Sequence, residues 1–175
     1  MNVILSFMLV LMPAAFPLRA VLIQTQQNPS VSLKDLRKAP TQVVLDNKTL
    51  QLSAYPWRDF MPGAWGPDGS PLMVVLKITS TDAQPLPNGL RLDHAWVLFG
   101  EESWEVSELR GRLGPRNEDQ DSSINCSTKP KCEVTLRNGP KWGPRVRVDV
   151  VVHLTDSAGK EYFLQAPNQY VVRSD

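Results

Sequence analysis

Two histidines, His94 and His153, are the whole imidazole complement of this 175-residue chain. Imidazole titrates near neutrality and ligates metals, so the pair could serve a small metal-binding protein or hydrolase alongside carboxylates such as Asp93 or Asp149. That chemistry requires the two rings to converge. The local pattern offers a plainer account of each. His94 alternates with Leu92 and Trp96 on an apolar face, as a satisfied core histidine would. His153 shares a polar strand face with Asp149 and Thr155.

Other charged residues are weaker candidates. Glu118-Asp-Gln-Asp121 invites a calcium reading, but Ile124 stands where an EF-hand loop needs glycine and Pro130 where it needs a bidentate glutamate. An acidic, solvated loop accounts for it better. Arg58-Asp59 could bind a ligand carboxylate or move a proton; a local ion pair or a turn-capping aspartate is the simpler role. The chain has no GxSxG nucleophile elbow, phosphate-binding glycine loop or HExxH pair. Nothing in the sequence calls for a cofactor or a metal, and none is assigned.

The aromatic residues give a more specific signal. Two loops, 62–67 and 139–144, share the tetrad x-Trp-Gly-Pro around Trp65 and Trp142. Tryptophan offers a broad π face and one N–H donor, so two proline-stiffened loops could form a platform for a sugar ring or peptide. Tyr55, Trp57, Arg58 and Asp59 precede the first loop and would extend it. The competing role for these tryptophans is to close the open end of the core, because Trp is usually well buried.

Cys126 and Cys132 are the only cysteines, with five residues between them. In an exported chain such a pair reads as a disulfide stapling a short loop, and zinc would need two further ligands. Export itself is suggested by residues 3–16, apolar except for Ser6 and Pro13 and free of charge, with Ala15 or Ala20 at the cleavage point. Pro13, Pro17 and Arg19 interrupt the stretch before it reaches the ~20 apolar residues of a membrane span. The expected order is therefore a signal peptide over 1–20, an arm or linker over 21–40 and one domain over 41–175. Without Arg19 the chain after the signal has eighteen basic and eighteen acidic residues, a balance that gives no general attraction to nucleic acid or anionic membrane. Asn47-Lys48-Thr49 and Asn125-Cys126-Ser127 match the N-glycosylation pattern, which acts only in a eukaryotic secretory pathway.

The elements that must position these residues are strands. Fifteen prolines against ten glycines punctuate the chain and oppose long helices. Period-two alternation recurs in 49–55, 91–99, 132–137 and 145–155, and 72–82 is a continuous β-rich run. In 91–99 the alternation sets Leu90, Leu92, His94, Trp96 and Leu98 on one face. Ser32 can cap a single helical turn with Leu33 and Leu36 on one side. About eight short strands predict an all-β antiparallel sandwich, immunoglobulin-like in the broad sense, with a small β-barrel as the alternative. So close a cysteine pair excludes the long-range intersheet bridge of a true immunoglobulin domain.

The functional expectation is an exported, non-catalytic module that binds a protein or glycan partner through its Trp/Pro-rich loops. It has no nucleic-acid partner and no stable membrane insertion after signal cleavage. The alternatives are the small secreted metal-binding protein or hydrolase built on His94 and His153, and a structural component of a cell-envelope assembly pairing through strand edges.

Overall fold

A computed structural model describes residues 31–63, 65–107, 109 and 124–175. The expected signal peptide, the first half of the arm and the acidic run 118–121 lie outside the described residues. Among those described, ten strands follow one short helix, α1 (Leu33–Leu36). They are β1 (Gln42–Leu45), β2 (Lys48–Asp59), β3 (Leu72–Ser80), β4 (Arg91–Phe99), β5 (Glu102–Val106), β6 (Ile124–Asn125), β7 (Cys132–Gly139), β8 (Arg147–Thr155), β9 (Glu161–Tyr170) and β10 (Val172–Ser174).

The strands form two packed sheets. The first has the order β1-β2-β3-β7, with β10 added parallel to the far end of β2; the second has the order β5-β4-β8-β9, with β6 paired to β4. All other pairings are antiparallel. This is a β-sandwich, and the described strands close no barrel. The expected alternation is what packs it. Leu50 and Leu52 from β2 meet Val74, Leu76 and Ile78 from β3, with Val148, Val150, Val152 and Leu154 of β8 opposite. Each such buried side chain contributes roughly 1.5–3 kcal/mol through apolar area removed from water.

Strand β4 departs from simple alternation. A bulge between Leu92 and His94 shifts the register against β8. The extra residue turns Ala95 and Val97 inward and sends His94, Trp96 and Leu98 to the outer face, so the single five-residue face read from the sequence is split in two. Trp96 and Leu98 are nevertheless buried, because the arm covers them. Leu36, Ala39, Trp96, Leu98 and Val151 form a second apolar cluster, with Leu33 and Phe163 packed against it. Ser32 caps α1 as expected, its side chain accepting from the Asp35 N–H. The arm is tied down by Gln165 N–H donating to Pro40 O at 2.9 Å and by Arg37 near Asp149 at 3.8 Å.

The disulfide forms between Cys126 and Cys132, with Cα atoms 5.1 Å apart. Its setting differs from a surface staple. Cys126 follows β6 on the second sheet, Cys132 opens β7 on the first, and both sulfurs belong to the main core. The bridge therefore joins the two sheets after all, at the corner where the chain crosses between them. The sequence spacing is short because the crossing is tight.

Two outcomes are expected from this packing. Leu36→Ala should lower unfolding free energy by about 2–5 kcal/mol in urea titration, the usual range for a buried leucine, with faster acrylamide quenching as Trp96 is uncovered. Unchanged stability would show that the arm does not hold the domain. The second outcome concerns the turn after β8. Asp156 is held below the ordinary carboxylate range, chiefly by the Lys160 N–H, then by the Tyr162 hydroxyl and the Ala158 N–H, against the opposing effect of burial. A depressed folded value stabilises above the unfolded value and is lost as pH falls through the folded one. The stability difference between the protein and Asp156→Ala should therefore be present at neutral pH and shrink in acid, as chemical denaturation at several pH values would reveal.

Candidate functional site

Along β2, residues 50, 52, 54, 56 and 58 point inward, and the odd positions 51 to 59 point out. Arg58 is thus an inward-facing cation at the end of the core, and only 3% of its surface is exposed. Its fork lies on main-chain oxygens. Nε donates to Ser70 O at 2.8 Å and Nη1 to Lys141 O at 3.0 Å; Gly143 O and Asp68 O take further donors. Asp68 and Ser70 belong to the loop that follows the first Trp-Gly-Pro, while Lys141 and Gly143 flank Trp142 in the second. One side chain therefore clasps both loops. Burial pushes the guanidinium down from its ordinary value, opposed by the nearby Asp68 carboxylate.

Neighbouring groups lock the clasp. Asp59 and Ser70 bond each other's main chain, with Ser70 N donating to Asp59 O at 2.7 Å and Asp59 N to Ser70 Oγ at 2.8 Å. The Phe60 ring lies between two guanidinium groups, Arg58 at 5.0 Å and Arg173 at 4.3 Å from its centroid. Gly69 admits that ring, since a Cβ there would stand 2.6 Å from it.

The six residues expected to form one binding surface therefore separate. Trp142 is buried: its ring packs 5.6 Å from Phe99 and its Nε1–H donates to Glu102 Oε2 at 2.9 Å. It closes the end of the sandwich, the competing role weighed from its type. Arg58 is equally withdrawn, with four hydrogen bonds from its guanidinium to loop carbonyls. Asp59 forms no pair with Arg58; its Oδ1 accepts from Met61 N at 2.9 Å, the turn-capping role. The outward positions are different. Tyr55 is 53% exposed, Trp65 is 45% exposed and Trp57 is half-buried.

Tyr55 and Trp57 stand on the outer face of the first sheet. Tyr55 pairs with Val75 and Trp57 with Met73 across to β3, and Val172 of β10 flanks Trp57 on its other side. Thr135 neighbours Val75 on β7, and Arg137 reaches Met73 Sδ at 3.8 Å. Sequence reading missed Met73, Val75 and Arg137 as members of this face. The outward parity of β3 and β7 carried that signal, but only the strand order brings those parities beside Tyr55 and Trp57.

The histidines do converge, on the outer face of the second sheet. Their ring centroids lie 6.0 Å apart, with His153 Nδ1 3.6 Å from Asp93 Oδ2 and Nε2 3.7 Å from Glu161 Oε2. His94 stacks on Trp96 at 5.7 Å and His153 tilts against Phe163 at 5.1 Å. Among the described residues no group of three or more His, Cys, Asp or Glu side chains has the arrangement to hold a metal ion. A shallow cavity of 320 Å³ lies elsewhere, between the arm, β1 and β9, lined by Val31, Ala39, Pro40, Val43, Tyr162 and Phe163, with Asp35 and Lys38 at its rim.

Fold and surface together define a disulfide-bonded β-sandwich with an aromatic outer sheet face. No helix among the described residues is long and apolar enough to cross a membrane. No protein-family model matches the chain, and no curated protein matches it. Among solved structures, a crystal structure of a Bordetella pertussis protein described as ApaA is similar at 15% identity. The likeness covers 75% of this chain and 97% of that one, with a TM-score of 0.39.

The clasp makes a direct prediction. Arg58→Met leaves carbonyls of both loops buried without donors and should cost on the order of 3 kcal/mol in unfolding free energy. Arg58→Lys should recover little of it, because a compact ammonium cannot span a planar fork's acceptors. Calorimetry of the three proteins measures this, and full recovery by lysine would mean that charge rather than geometry matters.

Proposed function

We propose that this chain is an exported, non-catalytic β-sandwich module, immunoglobulin-like in the broad sense, that binds a protein or glycan partner through outward-facing aromatic residues. The observation that carries the reading is the pair Tyr55 and Trp57, two residues apart on one strand and both turned away from the core. Aromatic side chains supply large contact area for little rotamer entropy, which suits a preformed recognition face. Trp65, in the loop that follows β2, is also exposed and is a further candidate contact. Rigidity beneath the face supports the same reading: Arg58 fixes both neighbouring loops, so binding would order little.

Export is supported by the uncharged apolar run at 3–16 and by the buried Cys126–Cys132 bridge, which persists in oxidising compartments. The proposed surface differs from the one expected from the sequence. It keeps Tyr55, Trp57 and Trp65 and leaves out Arg58, Asp59 and Trp142, whose side chains are engaged in structure.

The test is a binding screen of the mature domain against glycan arrays and extracellular or envelope proteins, followed by variants. Trp57→Ser and Tyr55→Ser should each weaken the partner found by about tenfold or more, as truncated aromatic anchors do, while the melting temperature stays within a few degrees. Binding that is indifferent to both variants, or that instead follows the histidine cluster, would overturn the proposal.

A further inference from the structure

We infer that the partner of this face is an acidic polysaccharide, with Tyr55 and Trp57 stacking on sugar rings and Arg137 pairing with a carboxylate. The inference rests on the binding role proposed above and narrows its ligand class. The two aromatics are at alternate positions of one strand, so their Cα atoms are about 6.6–6.8 Å apart. The surface around them is built from the strands β2, β3 and β7, with β10 at its edge. It also carries short polar groups. Gln51 and Ser53 continue the outward row of β2, Thr79 lies opposite Gln51, and Thr135 lies beside Val75. A row of aromatic faces bordered by hydroxyl and amide groups matches a sugar chain, which presents C–H faces and hydroxyl edges.

The charge comes from Arg137. It is exposed on the outward parity of β7, and its guanidinium reaches Met73 Sδ, the cross-strand neighbour of Trp57. Among the described residues no carboxylate pairs with it. Lys77, the other cation of this face, stands opposite Glu133, which also meets Lys131 at 3.0 Å. Of these two cations, Arg137 is the one whose guanidinium reaches the cross-strand neighbour of Trp57. A guanidinium matches a carboxylate in plane and can bind it through two parallel hydrogen bonds. It thus favours a uronate over a neutral sugar.

Titration calorimetry at low ionic strength would compare oligomers of polygalacturonate with the same oligomers methyl-esterified, which keeps the rings and removes the charge. Hyaluronan and alginate oligomers would serve as further acidic probes. The acid is expected to bind about tenfold more tightly than the ester, an increment typical of one charge-assisted pair. Arg137→Gln should erase that preference by weakening the acid more than the ester, with the melting temperature within a few degrees. Trp57→Ser should weaken acid and ester alike. Equal affinity for acid and ester, or an Arg137→Gln variant that keeps the preference, would overturn the acidic class while leaving the aromatic face intact. Failure of all three acidic polymers to bind would overturn it too. Carbohydrate binding that Trp57→Ser does not weaken would instead overturn the aromatic face itself.

Discussion

A buried arginine on main-chain carbonyls holds one end of this molecule together. Arg58 reaches inward from the last turn of an alternating strand and distributes its donors over Asp68, Ser70, Lys141 and Gly143. Withdrawing a guanidinium from water is costly, and it is tolerated here because several oriented carbonyl dipoles replace the lost hydration. The same bonds satisfy loop carbonyls that would otherwise be buried without donors. The two Trp-Gly-Pro loops, distant in sequence, are thereby fixed to each other, and Trp142 is seated over Phe99 as the lid of the core.

That constraint sorts the aromatic residues into two populations. Inside, Trp142 bonds Glu102, and the Trp104 ring lies where only a glycine at 139 admits it, a Cβ there falling 2.5 Å from the ring. Outside, Tyr55 is exposed and Trp57 is half-buried between its neighbours Met73 and Val172. They ride on a strand whose inward side is filled by leucines and whose end is clamped, so their positions are set by the sheet rather than by a loop. The second sheet repeats the separation differently: its outer face is apolar at Trp96, Leu98 and Val151, and the arm covers it.

Much of the architecture follows from the sequence alone. Period-two alternation in β2, β7 and β8, together with proline and glycine punctuation, dictates strands and a two-layer all-β fold, because alternating side chains must bury one face. The capped turn at Ser32, the disulfide pair and the aromatic character of residues 55–65 are equally local properties. What local pattern could not carry was facing. The bulge between Leu92 and His94 reverses the outward set of β4, and nothing in the residue types marks where an extra residue will be inserted. Treating Arg58 as surface charge followed residue type, although its even position in β2 shares parity with Leu50 and Leu52.

Composition and periodicity by themselves determined the class of fold, the cross-link and which aromatic residues were candidates for a surface. Tertiary structure decided which of them face outward. Tyr55 and Trp57 gained Met73, Val75 and Arg137 as neighbours only through the order β2-β3-β7, and Trp142 lost its surface role only through the inward reach of Arg58. The physical reason is common to both. Hydrophobic alternation is a property of consecutive residues, whereas strand order and the satisfaction of a buried charge depend on groups that the chain brings together from far apart.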